Sequence, residues 1–195
     1  MDIRQKILEA AARTYAQHGF RGATTRLIAT EAGVNEVSIF RTFGSKDQLF
    51  QTLMRERSTV LALAELPDHP GDARTELTDW VQGQLGMMSA HSSFLRKAMS
   101  EMEERPDAAL TACKGPECAR EQLETYVQQL QAANRAAPDA DVHTAVSMLM
   151  SSLFGDAMCR DVIPEGFPQP ATAAAARYVG IFLRAVGYSF SELPS

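Results

Sequence analysis

Hydrogen-bonding and cationic side chains are concentrated between residues 35 and 46 of this 195-residue chain. Asn35, Ser38 and Thr42 carry short amide and hydroxyl groups, and Arg41 and Lys46 carry positive charges. Short amide and hydroxyl groups can bind the edges of nucleic-acid bases, whereas cationic side chains bind phosphates. These residue types therefore indicate a surface suited to both base edges and phosphates.

Two short predicted helices and a tight turn position these side chains. Thr24 can cap the first helix, and Gly33 ends it, because glycine enters the left-handed conformation without steric cost. The small side chain of Ala29 allows close helix approach, Asn35 can cap the second helix, and Ile39 plugs the junction. This spacing is typical of a helix-turn-helix, whose second helix enters the DNA major groove.

A helical hairpin in an unrelated all-α protein would also explain this turn, but the flanking residues favour DNA binding. The segment from Arg4 to Phe50, about a quarter of the chain, resembles the N-terminal DNA-binding domain of TetR-family transcriptional regulators. The matching residues are Ile7, Leu8, Ala10, Ala11, Tyr15, Gly19, Thr24, Thr25, Ile28, Ala29, Ala32, Gly33, Val34, Phe40, Phe43, Ser45, Lys46, Asp47 and Leu49.

The second helix of this motif departs from the family pattern at several positions. Val37 replaces a common glycine, Phe40 lacks the hydroxyl of a common tyrosine, and Thr42 replaces a histidine or tyrosine. Glu36 is unfavourable near phosphate unless it accepts a hydrogen bond from a cytosine amino group or pairs with a local arginine. The expected DNA-binding residues are Thr25, Arg26, Asn35, Glu36, Val37, Ser38, Phe40, Arg41, Thr42 and Lys46.

Apolar residues recur at helical spacing along the rest of the chain, without strand-like alternation. Together with the resemblance, this predicts an all-α protein of about nine helices. A helix-turn-helix DNA-binding domain is expected at residues 1–50, and a helical ligand-binding and dimerisation domain at 51–195. Beyond the motif, helices are predicted at about 45–66, 73–90, 92–104, 108–114, 116–136, 141–162 and 171–187.

The last two predicted helices are expected to form a homodimer interface, as in the proteins that the chain resembles. Helix 171–187 is apolar most of the way round, so it needs partners on more than one side. One side can face the core of its own subunit and the other, with Phe182 and Leu183, a second subunit. Two such subunits would read a palindromic operator in double-stranded DNA.

The resemblance also implies that the middle helices enclose a pocket for a small-molecule inducer. Large, adaptable apolar side chains suit an apolar or amphipathic ligand, although for any one of them ordinary core packing is the favoured interpretation. The candidate ligand-binding residues are Trp80, Met87, Met88, His91, Phe94, Met99, Met102 and Tyr126.

Charge is distributed unevenly along the chain, whose formal net charge is -5. Residues 1–55 hold eight Lys or Arg against five acids, whereas the remainder holds eleven against nineteen. A mildly basic N-terminal domain on an acidic body is compatible with DNA binding through one end. The N-terminus has no signal-peptide pattern and no run is long enough to span a membrane, which predicts a cytoplasmic protein without a membrane partner.

Enzymatic activity is not expected, because no phosphate loop, paired carboxylates or nucleophile triad stands out. No cofactor is predicted, and the four scattered histidines do not have metal-ligand spacing. The primary hypothesis is therefore a ligand-released DNA-binding repressor. The alternatives are a thiol-switched regulator that uses Cys113 or Cys118 and a helical small-molecule-binding protein without DNA binding.

Overall fold

The computed structural model describes residues 2–60 and 65–189, and for residues 57–60 and 106–115 it describes the backbone only. Within these ranges the chain forms nine α-helices, two short 3₁₀ helices and no strand, which confirms the predicted all-α class. None of the helices in the described ranges is long and apolar enough to cross a membrane. The α-helices are α1 (Ile3–Gly22), α2 (Thr25–Ala32), α3 (Glu36–Phe43), α4 (Lys46–Val60), α5 (Ala73–Ala90), α6 (Ser92–Ser100), α7 (Pro106–Ala132), α8 (Val142–Cys159) and α9 (Ala174–Ala185).

The helices pack into two compact units, and neither unit is continuous along the sequence. The first unit comprises Met1–Val60 and His91–Gly115, and the second comprises Leu61–Ala90 and Pro116–Ser195. Helix α6 therefore belongs with the N-terminal helices. The functional division into a DNA-binding domain at residues 1–50 and a ligand-binding and dimerisation domain at 51–195 stays a prediction.

The core of the first unit forms where α1 packs against α2, α4 and α6. Tyr15 of α1 is central: its ring centroid lies 5.5 Å from that of Phe50 on α4 and 5.0 Å from that of Phe94 on α6. Ile28 of α2 and Ile39 of α3 are fully buried in the same core. The helix-turn-helix therefore packs on a core to which α6 contributes.

The second unit is organised around α5, which packs against α8 and α9. Phe182 and Leu183 of α9 are 3% and 0% exposed within one subunit, whereas Ile181 is 59% exposed. The expectation that Phe182 and Leu183 face a second subunit is therefore wrong. Their helix face is occupied by the core of their own unit.

Helix α7 corrects another expectation, since a short turn at 108–114 and a separate helix from Pro116 were predicted. The backbone instead forms one helix with Pro116 inside it. A proline there removes one backbone hydrogen bond and crowds the preceding turn. The helix continues because the following turns bury Leu123, Val127 and Leu130 in the second unit.

Several helix ends also differ from the predicted bounds. Helix α6 begins at Ser92 without a side-chain cap. Helix α8 ends at Cys159 rather than Val162, and a 3₁₀ turn at Ala171–Ala173 precedes α9. Of the predicted continuation of α4 to about residue 66, residues 61–64 lie outside the described residues, and residues 65 and 66 are not helical.

Candidate DNA-binding surface

The turn between α2 and α3 has the geometry expected of a left-handed glycine. Gly33 has φ 66° and ψ 36°, and its N–H donates to the Thr30 carbonyl oxygen at 3.2 Å. The Val34 N–H donates to the Ala29 carbonyl oxygen at 3.0 Å, so the paired bonds close the helix. A Cβ atom at Gly33 would have no heavy atom within 4 Å, so backbone conformation alone favours glycine here.

Side chains cap the starts of α2, α3 and α4, as predicted for Thr24 and Asn35. The Thr24 hydroxyl accepts from the Leu27 N–H at 3.2 Å, and Asn35 Oδ1 accepts from the Val37 N–H at 2.9 Å. Ser45 Oγ accepts from the Gln48 N–H at 3.1 Å. Each bond satisfies a backbone donor that the first helical turn leaves without an intrahelical partner.

Helix α3 has one buried side and one side that faces outward. Ile39 is fully buried, which confirms its predicted place in the junction, whereas Val37 is 69% exposed and Phe40 is 47% exposed. Arg41 and Thr42 are also exposed. The outward side thus combines apolar contact groups with hydrogen-bonding groups, a mixture that suits base edges and thymine methyl groups.

Glu36, the first residue of α3, is held by a neighbouring helix. The hydroxyl of Thr25, the first residue of α2, donates to Glu36 Oε1 at 2.6 Å. Within the described part of the chain, no arginine or lysine forms an ion pair with this carboxylate. The local arginine partner considered from the sequence is therefore replaced by a hydroxyl.

Lys46 is partly buried at the start of α4, in contrast to the exposed Arg26 of α2. Its Nζ lies 4.4 Å from the centroid of the Phe20 ring and donates to the Arg21 carbonyl oxygen at 3.4 Å. Partial burial lowers the pKa of the Lys46 ammonium, and the adjacent Asp47 carboxylate opposes that shift. The cation is thus held over the first unit rather than extended into solvent.

A contact between α1 and the end of α6 has no counterpart in the sequence predictions. Glu101 Oε1 accepts from the Phe20 N–H at 2.9 Å, and the Arg105 guanidinium stacks 3.3 Å from the Phe20 ring centroid. Burial, together with the Glu101 carboxylate, raises the pKa of Tyr15, so this phenol stays protonated at neutral pH. Residues 81 positions apart leave no periodic signal, so Glu101 could not be assigned to this contact from sequence.

The predicted ligand-binding residues are divided between the two units. In the first unit, Phe94 is part of the buried core, whereas Met99 and Met102 are 47% and 41% exposed. A cleft of about 470 Å³ in this unit is lined by residues that include Lys97 and Glu101, and none of the predicted ligand-binding residues lines it.

The other predicted ligand-binding residues in the second unit lie on α5 and α7. Trp80 and Tyr126 are buried with their polar tips bonded: Trp80 Nε1 donates to Gln122 Oε1 at 3.0 Å, and the Tyr126 hydroxyl donates to Glu76. On α5, Met88 is buried and Met87 is half-buried, whereas the half-buried His91 precedes α6 and belongs to the first unit. A ligand-binding role for these residues stays a prediction.

Cysteines and metal-binding groups add little to this surface. Cys118 is an exposed free thiol and Cys159 is a half-buried one. The Cys113 side chain, which shares the thiol-switch hypothesis, lies outside the described residues. Among the residues that the structure describes, no three His, Cys, Asp or Glu side chains are grouped to hold a metal ion.

Comparison with known proteins gives a family match over the helix-turn-helix. Residues 7–53 match the model for bacterial regulatory proteins of the tetR family. The HTH-type transcriptional repressor AcnR of Corynebacterium efficiens is 44% identical over 62 residues, which cover 32% of this chain and 33% of the relative. AcnR of Corynebacterium diphtheriae is 31% identical over 121 residues, 55% of this chain and 61% of the relative.

The fold matches beyond the segment of sequence similarity. A TetR-family transcriptional regulator from Mesorhizobium loti superposes with a TM-score of 0.71 at 18% identity, covering 95% of this chain and 96% of that one. The sequence matches span less than two thirds of the curated relatives' length. Residues 7–53 are thus similar to the tetR family of bacterial regulatory proteins, and the all-helical fold is similar to that of a solved TetR-family regulator.

Proposed function

We propose that this protein is a transcriptional repressor that binds a palindromic DNA operator as a homodimer and leaves it when a small ligand binds. The observation that carries the proposal is the outward side of α3. It holds Val37, Phe40, Arg41 and Thr42 in solvent while Ile39 fixes the helix to the core. Similarity to repressors named AcnR supports repression as the outcome of DNA binding.

Dimerisation is supported by apolar residues that the second unit leaves in solvent. Met148 of α8 is 67% exposed and Ile181 of α9 is 59% exposed, although both helices are otherwise well packed. Large exposed apolar side chains on neighbouring helices are typical of a subunit interface. Two copies of α3 related by a two-fold axis would read two half-sites about 34–36 Å apart or more.

Release by an apolar or amphipathic ligand is supported by the character of the second unit. Trp80, Met88 and Tyr126 provide large, adaptable side chains on α5 and α7. A ligand can lower DNA affinity only if it binds better to the conformation whose recognition helices do not fit the operator. A coupling of about 1–3 kcal/mol would change DNA affinity roughly 5- to 150-fold.

Selection of bound duplexes from a random DNA pool tests this function. The expected result is one enriched palindrome that also occurs in the genome, upstream of genes whose transcription rises when the protein is removed. Operator titration with and without a ligand that raises thermal stability then tests release. Failure to enrich any sequence would contradict DNA reading, and equal operator affinity in both titrations would contradict the ligand switch.

We place this activity in the cytoplasm, where a bacterial repressor meets its operator. A thiol-switched regulator would differ in one result: alkylation of the exposed Cys118 would release DNA without any ligand. Unchanged DNA release after alkylation would leave the ligand as the effector.

A further inference from the structure

We propose that Glu36 reads a cytosine in each half-site of the operator, with the Thr25 hydroxyl holding its carboxylate in position. This inference rests on the proposed function, because it requires α3 to lie in the DNA major groove. It adds a base preference to that function and assigns it to one pair of side chains.

The geometry fixes one carboxylate oxygen and leaves the other available. The Thr25 hydroxyl has a single proton, and it donates to Glu36 Oε1 at 2.6 Å. Among the described residues, Glu36 has no cationic partner that would neutralise it, and its side chain is only half-buried. Among the described residues, no group hydrogen-bonds the second oxygen, Oε2, which can accept a hydrogen bond from a ligand.

The position of Glu36 in α3 places it among the residues that meet bases. It is the first residue of the helix, directly after the Asn35 cap and one turn before Phe40. In a helix-turn-helix, residues in the N-terminal part of the second helix contact base edges. A negative charge is favourable at the N-terminal end of a helix, and a carboxylate only accepts hydrogen bonds.

An acceptor-only group distinguishes the four bases by what each presents in the major groove. Guanine offers two acceptors and thymine offers an acceptor and a methyl group, so neither base has a donor for a carboxylate in the major groove. Adenine offers an amino donor, but its N7 acceptor lies beside that donor. Cytosine offers an amino donor with no acceptor on the same base edge, so it is the favoured partner of Glu36.

The Thr25–Glu36 bond could instead serve only to tie α2 to α3. The two roles predict different effects on DNA binding. A tie between helices would change stability and weaken binding to all sequences alike, whereas a base-reading carboxylate would change which base is preferred at one position of each half-site.

The test combines sequence selection with titration of defined duplexes, using wild type, Glu36→Gln, Thr25→Val and Thr30→Val. Thr30→Val is the matched control, because Thr30 is also on α2 but its hydroxyl bonds the Arg26 carbonyl of its own helix. Wild type and Thr30→Val should select cytosine at one position of each half-site. Glu36→Gln should accept adenine there, since a glutamine amide can bond both the amino group and N7 of adenine.

Titration of defined duplexes tests the contact itself. Replacing the selected cytosine by 2-pyrimidinone, which lacks the 4-amino group, should weaken wild-type binding by roughly 10- to 150-fold, as expected for one hydrogen bond to a charged group. The same replacement should weaken Glu36→Gln binding much less, and Thr25→Val should give an intermediate loss. This comparison uses each protein as its own reference, so a general loss of stability in one variant cancels.

The possible failures are distinguishable. If wild type selects no sequence, the proposed function itself is wrong. If wild type selects a palindrome but Glu36→Gln selects the same bases, or loses as much affinity with 2-pyrimidinone as wild type does, the reading role of Glu36 is overturned. If Glu36→Gln does not fold, the 2-pyrimidinone duplex still tests the proposal. An equal loss of affinity in wild type and Thr25→Val overturns the positioning role of Thr25. A wild-type protein that binds the 2-pyrimidinone duplex as tightly as the cytosine duplex overturns the cytosine contact.

Discussion

The Lys46 ammonium is held at the start of α4 by the Phe20 ring and the Arg21 carbonyl oxygen. A cation next to the free N–H groups of a helix N-terminus forms a phosphate-binding site. We expect Lys46→Ala to weaken binding to all DNA sequences alike, because phosphate contacts carry no sequence information. The slope of affinity against salt should fall by roughly one counterion per subunit.

Lys6→Ala is the control for Lys46→Ala, because it removes the same charge from an exposed position on α1. Binding curves at several salt concentrations should show a smaller change in slope for Lys6→Ala. Equal slopes in wild type and Lys46→Ala would remove Lys46 from the DNA-binding surface.

Replacing Gly33 and Gly86 by alanine should have opposite effects on the free energy of unfolding. A Cβ atom would meet no heavy atom within 4 Å at either position, but only Gly33 has a positive φ. Gly33→Ala should therefore lower the free energy of unfolding of the first unit by about 1–2 kcal/mol through backbone strain. Gly86→Ala, inside α5, should raise that of the second unit by roughly 0.5–1 kcal/mol.

Urea denaturation followed by circular dichroism checks this pair of glycine substitutions. Gly33→Asn should lose less stability than Gly33→Ala, because asparagine tolerates the left-handed conformation better. A Gly33→Ala variant as stable as wild type would contradict the strained turn.

At individual positions, the residues with local roles could be predicted from sequence. Thr24, Asn35 and Ser45 cap the backbone within three residues of themselves, so their roles depend on neighbours along the chain. The bond between Thr25 and Glu36 depends on how two helices cross. The spacing of residues along the sequence limits the side chains that can pair across the two helices to a few, but it does not determine which of them form a hydrogen bond.

Helix α6 is attached to the N-terminal helices by both apolar and polar contacts. Phe94 packs against Tyr15, and Glu101 accepts a hydrogen bond from the Phe20 N–H. Glu101→Ala would leave that half-buried donor without its carboxylate partner, so the free energy of unfolding of the first unit should fall by about 1 kcal/mol. Glu101→Gln keeps an acceptor oxygen and should lose less.

Chemical denaturation of the two Glu101 variants distinguishes the hydrogen bond from the charge. Equal destabilisation by alanine and glutamine would show that the negative charge matters more than the bond to Phe20. The exposed Glu103→Ala serves as a control on the same segment and should leave stability nearly unchanged.

Two features of the helices could not be predicted from sequence: the helices against which α6 packs, and the continuity of α7 through Pro116. The start of α5 and the apolar side of α6 follow from hydrophobic spacing, but spacing does not identify which core a helix joins. Helix α7 continues through Pro116 because burial after the proline outweighs one lost hydrogen bond. That balance depends on tertiary contacts, so the proline alone predicted a break.

We expect the exposed residues Met148 and Ile181 to lie in the interface between the two subunits. A charge in an apolar interface is strongly unfavourable unless it is paired. We therefore expect Ile181→Glu and Met148→Glu to give folded monomers in light scattering, with operator affinity lowered to the level of non-specific binding. Gln128→Glu on the exposed surface of α7 is the control and should remain dimeric.

Leu183→Glu should behave differently from both interface variants, because Leu183 is fully buried in its own subunit. That variant should unfold the second unit rather than release a folded monomer. A wild-type protein that stays monomeric at micromolar concentration would contradict the dimer.

If two copies of α3 read one palindrome, two chains must bind each operator, and a fluorescence anisotropy titration of the selected operator measures this. We expect two chains per duplex, a dissociation constant of about 10⁻⁸–10⁻¹¹ M at physiological salt, and much weaker binding to a half-site or a shuffled sequence. Equal affinity for the operator and the shuffled duplex, or one chain bound equally well to operator and half-site, would contradict it.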